Sequence, residues 1–294
     1  MAFEHAPSAG GFGLPADETA LSEAMRDVLL DLVELRVEPH PLGRRSAAWL
    51  ADLFAKRSTE PVRGSVSFGL DPIGTFARWG VLSVDEAMVV ERLNGTVAEL
   101  RARGFSGRFA EPDGRSYHEA GATDGQELGI VLATAAWYLR TFEASELTTT
   151  QAFGAIGVSL AADQQQLLTI AKMRAMRLLW RRLQELCGAE PTDLRIHAET
   201  ARRMMMTADP HTNILRATLA AFSAGVGGAN SVAILPHTWR IGLADRPARR
   251  IARNLHHLLL EESNVHRVAD PAAGSGAVDA LTDGLCRAAW SEFQ

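Results

Sequence analysis

From Leu21 onward, short apolar or alternating runs closed by Gly, Pro or Asp take turns with long amphipathic stretches, and this alternation constrains the fold more than any other feature. The strand-like runs are 33–37, 65–70, 108–111, 156–160, 194–198 and 231–235. Helical spacing is clearest over 126–140 and 164–186, with Asp163 placed to cap the second. Repeated strand and helix units predict a parallel sheet, either a (β/α) barrel or an open doubly wound sheet. A closed eight-stranded barrel takes about 250 residues. The chain has 294 residues but six recognisable strands, so the expectation is an α/β, TIM-type (β/α) barrel that is incomplete at its N-terminal end. Its open strand edges would need cover from a partner subunit, a self-dimer or the leader.

Residues 1–18, interrupted by Gly10, Gly11 and Pro15, are expected to form a flexible leader, with residues 19–294 forming one domain. No run reaches the roughly 18 apolar residues of a membrane span, and the N-terminus lacks a secretory pattern, so a cytoplasmic location is expected. A net charge of −5 with mixed signs gives no footprint for nucleic acid or a membrane surface. Cys187 and Cys286 lack CxxC spacing and are expected as free thiols. Lys56 and Lys172 are the only lysines, which is read as codon bias without mechanistic weight.

Ser116-Tyr117-His118-Glu119-Ala120-Gly121 follows a strand candidate, at the loop position where parallel α/β folds place their chemistry. Tyr117 can hydrogen-bond a carbonyl and His118 can donate a proton or polarise that carbonyl, which makes them the catalytic candidates; a satisfied loop pair is the plain alternative. His197-Ala198-Glu199 closes another strand, and alternation puts both polar side chains on one face. No cluster of His, Cys or Asp at ligand spacing supports a metal there, so no metal is expected. Gly225 to Gly228 precede a strand, which fits a tight turn and not a dinucleotide fingerprint.

Six pieces then follow in order: Asp209-Pro210, Asn213 to Arg216, Gly227-Gly228, Arg250 to Asn254, Glu261-Glu262 and Asp270 to Ser275. With Ser65 to Gly74, Tyr117 to Gly121, Gln126 to Gly129 and Leu168 to Ala171, the chain resembles the acyl-CoA-binding barrel domain of adenosylcobalamin-dependent methylmalonyl-CoA mutases, most of all their small subunit. The resemblance implies a barrel threaded by coenzyme A, with Ser67, Ser159 and Ser231 among the small polar side chains lining it. It places His197 and Glu199 at the substrate as well, and Tyr117 and His118 at the thioester.

This chain departs from the family pattern in three places. The Tyr-His segment is two residues shorter than GYHMxEAGA, Glu199 stands where catalytic chains carry glutamine, and the cobalt-ligating DxHxxG segment does not occur. The resemblance therefore implies a structural or regulatory partner of a cobalamin-binding catalytic chain, with no cofactor bound by this chain itself and adenosylcobalamin expected on the partner. Two alternatives stay open: a free-standing barrel enzyme acting on an acyl-CoA or related substrate at Tyr117 and His118, and a substrate domain working in trans with a separate cobalamin domain.

Overall fold

The computed structural model describes residues 1–61, 66–82 and 84–294. Among these, six strands lie at Leu35–Arg36 (β1), Val66–Leu70 (β2), Arg108–Ala110 (β3), Gly157–Ala162 (β4), Arg195–Thr200 (β5) and Ser231–Ala233 (β6). The helices are Glu18–Ala24 (α1), Gly43–Lys56 (α2), Pro72–Trp79 (α3), Glu86–Ala102 (α4), Arg115–Glu119 (α5), Asp124–Glu143 (α6), Thr149–Gly154 (α7), Gln166–Leu186 (α8), Thr212–Val226 (α9), Arg246–His257 (α10) and Gly276–Phe293 (α11). Each strand expected from the sequence has its counterpart, shifted or shortened by a few residues. Ser65, the first residue of the second expected strand, lies outside the described residues.

The residues divide into two compact units. The first comprises Met1–Asp113, Thr134–Gly157 and Cys187–Asp193. Its sheet runs β1-β2-β3, all parallel, with Leu35 opposite Val66 and Ser67 opposite Arg108. All five residues of β2 are buried, the continuous burial of a strand covered on both faces. Phe68 stacks on Phe109 at 5.9 Å and meets Phe105 edge-on, while α2 turns Ala47, Leu50, Leu53 and Phe54 inward. Gly69 has φ +59°, and a Cβ there would stand 2.2 Å from the Val37 carbonyl oxygen, so the close passage of β2 past that carbonyl requires glycine. Asp71 caps α3 by accepting the Gly74 N–H at 3.0 Å, and Pro72 occupies the first helical turn, where a missing N–H is harmless. Near the N-terminus Pro7–Ala9 forms a 3₁₀ turn, and Phe3 is fully buried against the His40 ring at 4.8 Å.

The second unit comprises Gly114–Ala133, Val158–Leu186 and Leu194–Gln294. Its sheet runs β4-β5-β6, with His197 opposite Ser231 and Glu199 opposite Ala233. The long helix α8 buries Ile170, Met173, Met176, Leu179 and Trp180, and packs against α11 and α9. Asp163 does not cap α8, which begins three residues later. Its carboxylate instead takes the Gln165 N–H at 2.8 Å in a turn of its own and meets the Thr169 hydroxyl at 3.3 Å. Gly227 and Gly228 form the expected turn between α9 and β6.

The fold is thus mixed α/β with parallel sheets. Among the described residues the ladders form two three-stranded sheets, not the ring of a closed barrel. Three of the six strands are only two or three residues long. No helix among the described residues is long and apolar enough to cross a membrane.

Candidate functional site

In the second unit the carboxyl ends of β4 and β5 face the short helix α5, the position at which parallel sheets expose loop chemistry. Two arginines that were not among the sequence candidates dominate the place. Arg115, at the start of α5, donates from Nη1 to Glu199 Oε2 at 3.0 Å. Arg202, in the 3₁₀ turn after β5, donates from Nη2 to Glu199 Oε1 at 3.0 Å and from Nη1 to Glu119 Oε2 at 2.9 Å. Its guanidinium also lies 5.4 Å from the centre of the Trp239 ring. Arg115, Glu199 and Arg202 are all buried, so their charges are compensated by one another and not by water.

Beside this network lies a second one. Lys172 projects from α8 with no exposed surface and donates to Asp124 Oδ1 and Glu127 Oε2, each at 2.8 Å. Glu127 Oε1 accepts the Ala161 N–H of β4 at 2.7 Å. Burial on its own would push the Glu127 carboxyl up, but the Lys172 ammonium and the neighbouring His118 outweigh it and hold the carboxyl down at about 2. Burial likewise opposes the charge on Lys172, and the two carboxylates overcome it and raise its pKa. Gly114 makes room for this arrangement, because a Cβ there would stand 2.8 Å from Glu127 Cγ and 2.9 Å from Val131 Cγ2.

His118 is 1% exposed and sits between the two networks. Its Nδ1 is 3.2 Å from Glu127 Oε2 and its Nε2 is 3.9 Å from Asp163 Oδ2; the first contact lacks the alignment of a hydrogen bond and the second is too long for one. Arg203 holds the backbone on this side, donating to the carbonyls of His118 and Ala122 at 2.8 and 3.0 Å. His118, Asp124 and Glu127 bring three ligand atoms within 4.8 Å of one another, a grouping that sequence spacing did not reveal. The Lys172 ammonium already bridges two of them, so the site has its cation in covalent form. The open space bounded by Arg115, His118, Ala161, Glu199 and Arg202 is about 10 Å³. That is near the lower limit for one water molecule.

The remaining candidates are dispersed. Tyr117 is half-buried on α5, one residue before His118. Ser159 is buried in β4, where its carbonyl accepts the Gly114 N–H at 2.9 Å. His197 Nδ1 stands 2.8 Å from Ser231 Oγ across the β5 and β6 pair, with Ser231 exposed, so those two form their own contact away from the Glu199 carboxylate's partners. Ser67 belongs to the first unit, where it donates to Glu111 Oε2 at 3.0 Å in a network with Arg36 and Glu38. His197 and Glu199 are both buried in β5, as are Ile196, Ala198 and Thr200 between and beside them, so burial does not distinguish the two faces of this strand. Lys172 carried a legible signal: a lone lysine between Ile170, Ala171, Met173 and Ala175 interrupts an apolar helix face, and codon usage does not account for its two carboxylate partners.

Residues 111–294 match the pattern of the methylmalonyl-CoA mutase family. The methylmalonyl-CoA mutase small subunit of Streptomyces virginiae is 43% identical over 289 residues, covering 97% of this chain and 46% of that protein. A probable methylmalonyl-CoA mutase small subunit of Mycobacterium bovis is 48% identical over 237 residues, 78% of this chain and 37% of the relative. The small subunit of Propionibacterium freudenreichii subsp. shermanii is 39% identical over 278 residues, 93% of this chain and 43% of the relative. The chain thus spans less than half the length of these relatives.

Proposed function

The chain belongs to the methylmalonyl-CoA mutase family, and from that premise we propose that it serves as the small-subunit type of barrel scaffold, structural or regulatory partner to a cobalamin-binding catalytic chain in the interconversion of methylmalonyl-CoA and succinyl-CoA. In this reading the six parallel strands belong to a mutase-type (β/α) barrel, and the chain does not itself turn substrate over.

One observation carries the reading. At the mouth formed by β4, β5 and α5, the polar side chains are engaged with each other: Arg115 and Arg202 are neutralised by Glu199 and Glu119, and Lys172 by Asp124 and Glu127. A thioester with its acyl group cannot enter about 10 Å³, and admitting one would mean separating buried ion pairs, which costs about 3–5 kcal/mol for each pair broken. Glu199 would otherwise repel an anionic acyl group; here two guanidiniums fix it as a strut. Tyr117 and His118 remain side by side on α5, but His118 is enclosed by Glu127 and Asp163.

The mutase family is cobalamin-dependent. At the candidate site the residues do not fit that cofactor, because His118, the histidine there, is walled in by carboxylates. In this reading the cofactor is held by the partner.

The experiment is co-expression with a cobalamin-binding mutase chain, followed by size-exclusion chromatography and mutase assay of the pair. The expected result is a stable complex whose turnover is unchanged by Tyr117→Phe. A loss of turnover in that variant would move the chemistry onto this chain and support the substrate domain working in trans. Turnover by the isolated chain without cobalamin would overturn both in favour of a free-standing enzyme.

A further inference from the structure

A second place in the molecule has the properties that the filled site lacks. In the first unit, at the carboxyl ends of β1 and β2, a cavity of about 490 Å³ opens between α2, α3 and α4. That is within the range of pockets holding small organic ligands, and the carboxyl edge of a parallel sheet is where such ligands bind. Its wall is largely apolar, with Leu70, Val89 and Leu93 at the back. Trp79 and Val81 line it too, although 53% and 65% exposed. Large apolar side chains left open to water around one concavity mark a surface that gains by being covered.

The polar groups are few and distinct. Arg44 and Arg92 stand exposed at the cavity, and among the described residues neither has a carboxylate partner; Arg44 reaches only the Thr96 hydroxyl, at 3.3 Å. His40 lines the cavity and is buried. Ser46 commits its hydroxyl proton to the Gly43 carbonyl at 2.9 Å, so the 2.9 Å contact between Ser46 Oγ and His40 Nε2 requires the imidazole N–H on Nε2. Nδ1 is then a bare acceptor without a hydrogen-bond partner, but it is itself closed off from solvent and so offers a cavity ligand nothing. Burial, with His5 nearby, lowers His40 to about 4 despite the opposing Glu38, which keeps the ring neutral at pH 7. Asp71 also lines the cavity, but its oxygens are taken by Gly74, Asp113 and Tyr138.

We propose that this cavity is a binding site for a small amphipathic carboxylate, its apolar chain against Leu70, Leu93 and Trp79 and its anionic end between Arg44 and Arg92. The site is independent of the scaffold role, since none of its residues takes part in the α5 networks.

The test uses N-octanoylglycine, which has both the apolar chain and the anionic end, titrated into the purified full chain by calorimetry and tryptophan fluorescence. Saturable one-to-one binding is expected, with an emission change that disappears in Trp79→Phe. The exposed pair Arg44→Gln/Arg92→Gln should weaken the acid by about tenfold or more while leaving the uncharged N-octanoylglycinamide within about twofold. Absence of saturable binding at millimolar probe would overturn the proposal, as it would if a protein segment were the true occupant. So would equal affinity for the acid and its amide, or an arginine pair variant indistinguishable from the parent.

Discussion

Removing the charge of Lys172 tests whether its ion pairs are as buried as the geometry demands. Lys172→Met keeps length and apolar bulk but strands Glu127, which has no exposed surface. In the parent the Glu127 carboxyl is held at about 2 against an ordinary 4.5. At about 1.4 kcal/mol per pKa unit, that depression corresponds to about 3 kcal/mol of stability. A depressed carboxyl contributes fully above its unfolded pKa, and the contribution is lost as pH falls from about 4.5 through about 2. Without Lys172, burial becomes the dominant influence and drives the Glu127 pKa upward. The variant should therefore lose about 3–5 kcal/mol at pH 7. The gap to the parent should narrow by about 2 kcal/mol between pH 7 and pH 4, because the native variant takes up a proton that the native parent refuses. Urea denaturation followed through the buried Trp180, on the same helix, measures both quantities. A loss under about 1 kcal/mol at pH 7, or a gap that stays constant or widens on acidification, would refute the reasoning. Lys172→Met/Glu127→Gln should recover part of the loss, since the fully buried charge is gone and only the Asp124 carboxylate, 12% exposed, is left without its ammonium.

Glu199→Gln leaves Arg115 and Arg202 buried with one carboxylate fewer and should destabilise by about 3 kcal/mol in the same assay. Gly114→Ala has an ordinary backbone conformation, so its expected penalty of about 1–3 kcal/mol comes from collision with Glu127 and Val131; a neutral thermal melt would show that the contact gives way. Gly69→Ala adds a positive φ to a 2.2 Å approach and should prevent accumulation of folded protein, as judged by soluble yield and circular dichroism. Burial pushes Asp71 up to about 7, so its charged form destabilises the fold progressively as pH rises from about 4 to about 7. Asp71→Asn should flatten that part of the stability profile, and an unchanged slope in denaturant titrations would contradict the assignment.

The strand and helix alternation was legible because each element reports its own periodicity: β2 and β4 read as continuous buried runs, and α6 and α8 as stripes at helical spacing. The family was legible too, since ordered motifs survive along the chain even where individual site residues have changed. The candidate site was not. Tyr117, His118, His197 and Glu199 stood out as polar residues at strand ends, but nothing local distinguishes a histidine aimed at a substrate from one closed in by Glu127 and Asp163. Arg115 and Glu199 are 84 residues apart, and Glu127 and Lys172 are 45 apart. A residue's own neighbours say whether it is buried, through the period of the pattern around it. Which opposite charge meets it there depends on how separate elements pack, because the energy of a buried ion depends on groups within a few ångströms in space and not on its distance along the chain. Fold class and ancestry could therefore be read residue by residue, while the difference between an open site and one filled with ion pairs was decided only in three dimensions.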